Sequence, residues 1–203
     1  MRFSSRELLD LAAAWVALGV AFAILFEPAI LAFDPDALGT VLPVSMLTVG
    51  VGFLLHELAH KVVAVRFGQV AEFRADYGML FVAVMSALAG FIFAAPGAVH
   101  HRGRITPREN GLIALAGPVT NLLLIVPFGA LWVAGVGPDV DIWGLNVGGL
   151  GVAVNGFLAA FNMVPYGPLD GKTVWNWSKP VYLAVFVPSA AFVVWMFLGA
   201  PGL

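Results

Sequence analysis

The residues with the plainest capacity for chemistry are His56-Glu57-Leu58-Ala59-His60. In a helix the two histidines stand at i and i+4 and project from one face, where a single ion can bridge them. Zinc at a catalytic centre takes three protein ligands and leaves the fourth position to water, which it acidifies toward neutrality. Glu57 then stands beside that water as general base. With four His and five Glu in 203 residues, chance would place an H-E-x-x-H pattern about 0.002 times, so coincidence is a poor account of it. The chain has no cysteine, which excludes disulfides, a thiol nucleophile and thiolate metal ligation, and leaves only nitrogen and oxygen ligands.

A third ligand must come from elsewhere. The apolar stretches after His60 contain no Asp, Glu or His until Asp170, in Asn162-Met163-Val164-Pro165-Tyr166-Gly167-Pro168-Leu169-Asp170-Gly171. Pro165, Gly167 and Pro168 cannot continue a regular helix, so the chain is expected to unwind there and let Asp170 turn inward. Asp170 is the best candidate for the third position.

The elements that must position these groups lie in a membrane. Of the residues, 61% are apolar and 11% charged, against roughly 25% charged in a soluble domain. Charge-free windows run from Leu11 to Phe26, Ala37 to Leu55, Tyr77 to Val99, Asn110 to Pro138, Ile142 to Leu169 and Val181 to Leu203. Most have the ~20 residues a spanning helix needs. The first is followed by Glu27-Pro28 rather than by a small-residue cleavage site and reads as a retained helix. The fold class is therefore an all-α polytopic membrane protein with five to six transmembrane helices.

Charge decides between these numbers. The ten Lys and Arg fall in four segments: Arg2 and Arg6; Lys61, Arg66 and Arg74; Arg102, Arg104 and Arg108; and Lys172 with Lys179. Two other connections carry only acid, Glu27 to Asp36 and Asp139 with Asp141. If the Tyr77 to Val99 window crossed the bilayer, the Arg102 segment would face outward and the Asp139 loop inward, against the cytoplasmic preference of basic residues. A re-entrant or β-hairpin segment near 77–99 puts every basic residue on the cytoplasmic side, together with the N-terminus. Ser86 to Gly90 is the expected turn and Phe91 to Gly97 reads as a strand ending at Pro96-Gly97. At about 1.5 Å per residue, His56 lies some 15 Å before Arg66, so the metal is expected to be submerged near the cytoplasmic face of the cell membrane.

With these elements in place, the chain resembles the site-2 protease family of intramembrane metalloproteases, in which an H-E-x-x-H helix is followed by an N-x-x-P-x-P-x-L-D-G element. His56 and His60 match the zinc-binding histidines, Glu57 the catalytic glutamate and Asp170 the aspartate ligand, with Asn162, Pro165, Leu169 and Gly171 completing the second motif. Gly167 departs where the family shows proline. Ala116-Gly117-Pro118-Val119-Thr120-Asn121 is similar to the family's A-G-P-x-x-N element, which begins a core helix. The resemblance implies a single transmembrane metalloprotease domain over 1–203, without a PDZ-like domain. Its core is about 41–171, with the first helix (about 8–33) and the last (about 180–200) peripheral.

The resemblance further implies one zinc ion per chain and hydrolysis of a peptide bond in a transmembrane protein substrate. Glu57 would deprotonate water and then protonate the departing amine. Asn121 and Asn162 become candidates for orienting substrate or donating to an oxyanion. An extended substrate could be held by strand addition, with Phe91 to Ala95 the expected edge. Lys61 is expected to snorkel to the interface, Asn146 and Asn155 to serve close packing of a Gly-rich helix containing Gly144-x-x-x-Gly148, and His100 and His101 to lie in a solvated loop. Two rival functions remain. A membrane metal transporter would need polar groups spread along a path, and a non-catalytic binder of membrane segments would not need Glu57. With a net charge of −2 and no basic stripe, nucleic acid is not an expected partner.

Overall fold

The computed structural model describes residues 1–136 and 145–198. The expected outward loop at Asp139 and Asp141, and Gly144 of the glycine repeat, lie outside the described residues. The order is α1 (Ser5–Phe26), α2 (Ala37–Arg66), β1 (Val70–Ala75), α3 (Tyr77–Leu88), β2 (Gly97–Arg102), α4 (Pro107–Val133), α5 (Val147–Asn162), α6 (Asp170–Trp177) and α7 (Lys179–Phe197). Helices α1, α2, α4 and α7 are long and apolar enough to cross a membrane, while α3 and α5 are shorter apolar helices. The chain is an all-α polytopic membrane protein, with one small two-stranded sheet among the described residues.

Local chemistry sets the boundaries. Ser4 caps α1 by accepting the Glu7 amide, and Thr106 with Glu109 forms a capping box ahead of Pro107 at the start of α4. Helix α2 ends as Gly68 turns left-handed at φ 74°. Two wide π turns interrupt α2, at Ala37–Val41 and Met46–Gly50. There α1 approaches closely: Ser45 Oγ donates to Gly19 O at 2.8 Å and Trp15 Nε1 to Met46 O at 3.0 Å. Gly148 and Gly151 let α5 run against α4, since a Cβ on Gly148 would stand 2.7 Å from Trp132 Cα.

Strands β1 and β2 pair antiparallel, with Val70 opposite Arg102 and Ala75 opposite Gly97. The ends of the intervening stretch, 76–96, are thus side by side, and Asp76 N donates to Pro96 O at 3.0 Å. Helix α3, at 12 residues, rises only about 18 Å, short of the ~30 Å hydrocarbon core. Its chain turns at Gly90 (φ 83°) and returns with Phe93 N donating to Ser86 Oγ at 2.9 Å. The stretch therefore goes in and comes back rather than crossing. The expected strand is displaced, however: 91–96 is not a strand, and β2 begins only at Gly97. The reason is that β1 ends at Ala75, where Asp76 caps α3, so nothing remains for 91–95 to pair with.

The A-G-P-x-x-N element also differs from expectation. It lies well inside α4, which starts nine residues earlier at Pro107 rather than at Ala116, because the Thr106 capping box and Pro107 already start the helix there.

Candidate metal and catalytic site

His56 and His60 lie on one face of α2 with their rings edge to face, centroids 4.7 Å apart. Asp170 reaches them from the first residue of α6, where the chain has left α5 at Asn162 and passed through a non-helical turn. Gly167 in that turn has φ 61°, a left-handed conformation closed to proline, whose ring holds φ near −65°. The departure from the expected proline is thus built into the turn that delivers Asp170. Asp170 Oδ2 lies 3.2 Å from His56 Nε2 and 3.3 Å from His60 Nε2. These three form the group that could hold a metal among the described residues.

The residues present fit zinc. Ligand atoms about 2.0–2.1 Å from one tetrahedral ion are roughly 3.3–3.4 Å apart, close to the two spacings here. Both imidazoles are oriented from behind. His56 Nδ1 meets Asn121 Oδ1 at 2.6 Å and His60 Nδ1 meets Ile113 O at 2.7 Å. These oxygens accept, so each Nδ1 carries the proton and each Nε2 keeps its lone pair for a metal. Room for the rings comes from Gly117 of the A-G-P element, where a Cβ would lie 2.5 Å from His60 Nε2 and 2.6 Å from His56 Cδ2.

Glu57, next on α2, is 7% exposed, and its Oε2 is buried with no hydrogen-bond partner. An orphaned carboxylate oxygen is costly in a protein interior and marks a place for water or substrate. Val99 of β2 lines the same cavity as Glu57, so the sheet borders the site. His56, Glu57, His60 and Asp170 all open into one cavity of about 1440 Å³, whose other walls include Phe22, Phe53, Ile92 and Phe157.

Several expectations change. Asn121 is not placed to face substrate: it is fully buried, absent from the cavity wall, and its amide hydrogens go to Gly52 O (3.2 Å) and Asn155 Oδ1 (2.9 Å). Asn162 does line the cavity, with Nδ2 donating to Leu158 O at 2.9 Å. Lys61 does not snorkel. It is 1% exposed, ion-paired with Glu7, bonded to Arg2 O at 2.9 Å and set 4.1 Å over the Phe3 ring. His100 and His101 are in β2 rather than a loop, because β1 pairs with them, and both line the cavity, although His100 is exposed as expected. Burial, with His60 and His100 nearby, holds the His101 pKa below its usual value, and the ring is neutral at pH 7.

Asn155, expected only to pack, belongs to the network behind His56. The available signal was an uncapped asparagine in the middle of an apolar helix, where a polar side chain needs a partner. Glu7 and Asp10, also buried, gave a similar signal at the start of α1.

A chain that brings two buried histidines, a part-buried aspartate and a glutamate with an orphaned carboxylate oxygen together among membrane-spanning helices has the make-up of a membrane metalloprotease. Comparison with known proteins agrees. The chain is 36% identical over 197 residues to "Putative zinc metalloprotease MJ0611" of Methanocaldococcus jannaschii, covering 96% of each chain. It is 28% identical over 201 residues to "Putative zinc metalloprotease YwhC" of Bacillus subtilis, covering 79% of this chain and 88% of that one. "Putative zinc metalloprotease Rip3" of Mycobacterium tuberculosis is 36% identical over 118 residues, 58% of this chain and 26% of the larger relative. No family model and no solved structure matches. The chain belongs to the site-2 protease family of zinc metalloproteases.

Proposed function

We propose that this metalloprotease hydrolyses a peptide bond within or near the transmembrane segment of a membrane-protein substrate, with His56, His60 and Asp170 holding one zinc ion and Glu57 as general base. The observation that carries the reading is the buried, unpartnered Oε2 of Glu57 beside a three-ligand cluster, in an apolar cavity walled by membrane-spanning helices. A zinc ion held by these three residues would supply Lewis acidity, polarising a carbonyl and lowering the pKa of water.

The remaining steps fall to the chain itself. Glu57 takes the proton of the attacking water on its carboxylate and passes it to the departing amine, so no covalent intermediate is needed. Apolar walls limit water to what the site uses, and Asn162, at the cavity wall, orients the substrate. A substrate helix hides its peptide bonds in its own hydrogen bonds and must be drawn out. β2 rather than 91–95 is the edge on which an extended segment would lie, since Val99 of β2 and Glu57 line one cavity. Arg74 and Arg102, near opposite ends of the sheet, support a cytoplasmic position for this side of the site.

A metal transporter is less well supported, because the ligands cluster at one place instead of along a path. The test is cleavage of a single-span model substrate by the purified protein in proteoliposomes. Glu57→Gln should retain zinc and lose at least about a hundredfold in rate, and a chelator should stop the parent. A Gln variant that cuts as fast as the parent sinks the mechanism.

A further inference from the structure

Behind His56 a chain of amides runs away from the cavity. Asn155 Nδ2 donates to Gly151 O at 2.9 Å, Asn155 Oδ1 accepts from Asn121 Nδ2 at 2.9 Å, and Asn121 Oδ1 meets His56 Nδ1 at 2.6 Å. A second amide hydrogen of Asn121 reaches Gly52 O at 3.2 Å. Both asparagines are fully buried. An amide side chain could in principle be turned end for end, but here the two backbone carbonyls of Gly151 and Gly52 can only accept. They force the amino ends of Asn155 and Asn121 toward themselves. The oxygen of Asn121 is left for His56, so that Nδ1 must donate and Nε2 must stay unprotonated.

We infer that Asn155 is a positioning residue of the metal site: through Asn121 it holds His56 in the tautomer whose Nε2 can bind zinc. Without Asn155, Asn121 keeps only the longer bond to Gly52 O and has an unsatisfied N–H in an apolar interior. A reversed Asn121 then presents N–H to His56, moves the imidazole proton to Nε2 and blocks the ligand atom. His60 is independent of this chain, since Ile113 O orients it. Gly52 supports the arrangement in a second way, because a Cβ there would stand 2.9 Å from Asn155 Oδ1. Asn155 is absent from the cavity wall, so it does not meet substrate.

The inference rests on His56 being a zinc ligand, and zinc affinity separates the two ideas without any proteolysis. Affinity is measured by chelator competition on the full chain in detergent, with the visible spectrum of the cobalt-substituted protein as a report on geometry. Asn155→Ala should bind zinc at least about tenfold more weakly than the parent, in the range seen when outer-shell partners are lost, and should alter the cobalt spectrum. Gly52→Ala, which removes no polar side chain, should do the same, and it decides the matter if Asn155→Ala does not fold. Because Asn155 acts through Asn121, Asn155→Ala should cost little further affinity when Asn121→Ala is already present. Parent-like binding in the folded variants, or an equal loss from Asn155→Ala in both backgrounds, overturns the inference while leaving the zinc site intact. A parent that binds no zinc overturns the zinc reading and this inference together.

Discussion

Glu7, near the start of α1, is ion-paired with Lys61, the residue that directly follows His60, and its other carboxylate oxygen accepts the Phe73 amide of β1 at 3.0 Å. One side chain thus ties the first helix to the metal-bearing helix and to the sheet. Nearby, Asp10 accepts the Tyr77 hydroxyl at 2.7 Å and joins α1 to the start of α3. The first helix thus contributes two buried carboxylates to the frame around the metal-bearing helix.

Breaking that pair from one side should be far worse than removing both partners. Glu7→Gln or Lys61→Met strands a buried charge, a loss of about 3–5 kcal/mol by precedent, whereas the double variant leaves two neutral groups and should recover much of it. Thermal unfolding of the four proteins in one detergent would read the difference. Equal and additive losses would mean that the pair is not coupled.

Gly117 should be intolerant of any side chain. Gly117→Ala puts a methyl group against both imidazoles, and zinc content after purification should fall well below one ion per chain. The helix itself should be unharmed, since alanine favours helix over glycine by about 1 kcal/mol. A variant that still folds, no more stable than the parent because the imidazoles must shift to make room, but holds less zinc is the expected signature.

Zinc removal should be reversible in the parent, and loss of the third ligand should weaken zinc binding. Chelation should strip zinc and activity together, and added zinc should restore both. Asp170→Asn, which keeps shape and loses charge, should bind zinc more weakly by tenfold or more, in the range lost with ligand-supporting groups. Metal titration followed by activity checks both. Full zinc occupancy in Asp170→Asn at micromolar zinc would remove Asp170 from the ligand set.

Gly167 should report on the turn that carries Asp170. Gly167→Ala forces a side chain into the left-handed region and should cost roughly 1–2 kcal/mol. Gly167→Pro, although it restores the family's usual residue, cannot reach φ 61° and should be the more damaging. Zinc affinity and melting temperature of the two variants, ranked against the parent, test this order.

Much of this was legible in the order of residues. H-E-x-x-H spacing puts two imidazoles and a carboxylate on one helical surface by geometry alone. A membrane chain with so few acids and histidines leaves Asp170 as the natural third ligand. The distribution of Lys and Arg points to an in-and-out path near 77–99, because a whole loop's charge is a sum that needs no coordinates. What pairs with what was not legible. That β2 starts at Gly97, that Lys61 is buried against Glu7, and that Asn121 and Asn155 stand behind His56 depend on which helices touch. An isolated asparagine or lysine in an apolar run announces only that it needs a partner. The partner is 54 residues away for Lys61 and 65 for His56, and only the packing of α1, α4 and α5 around α2 decides which one it finds.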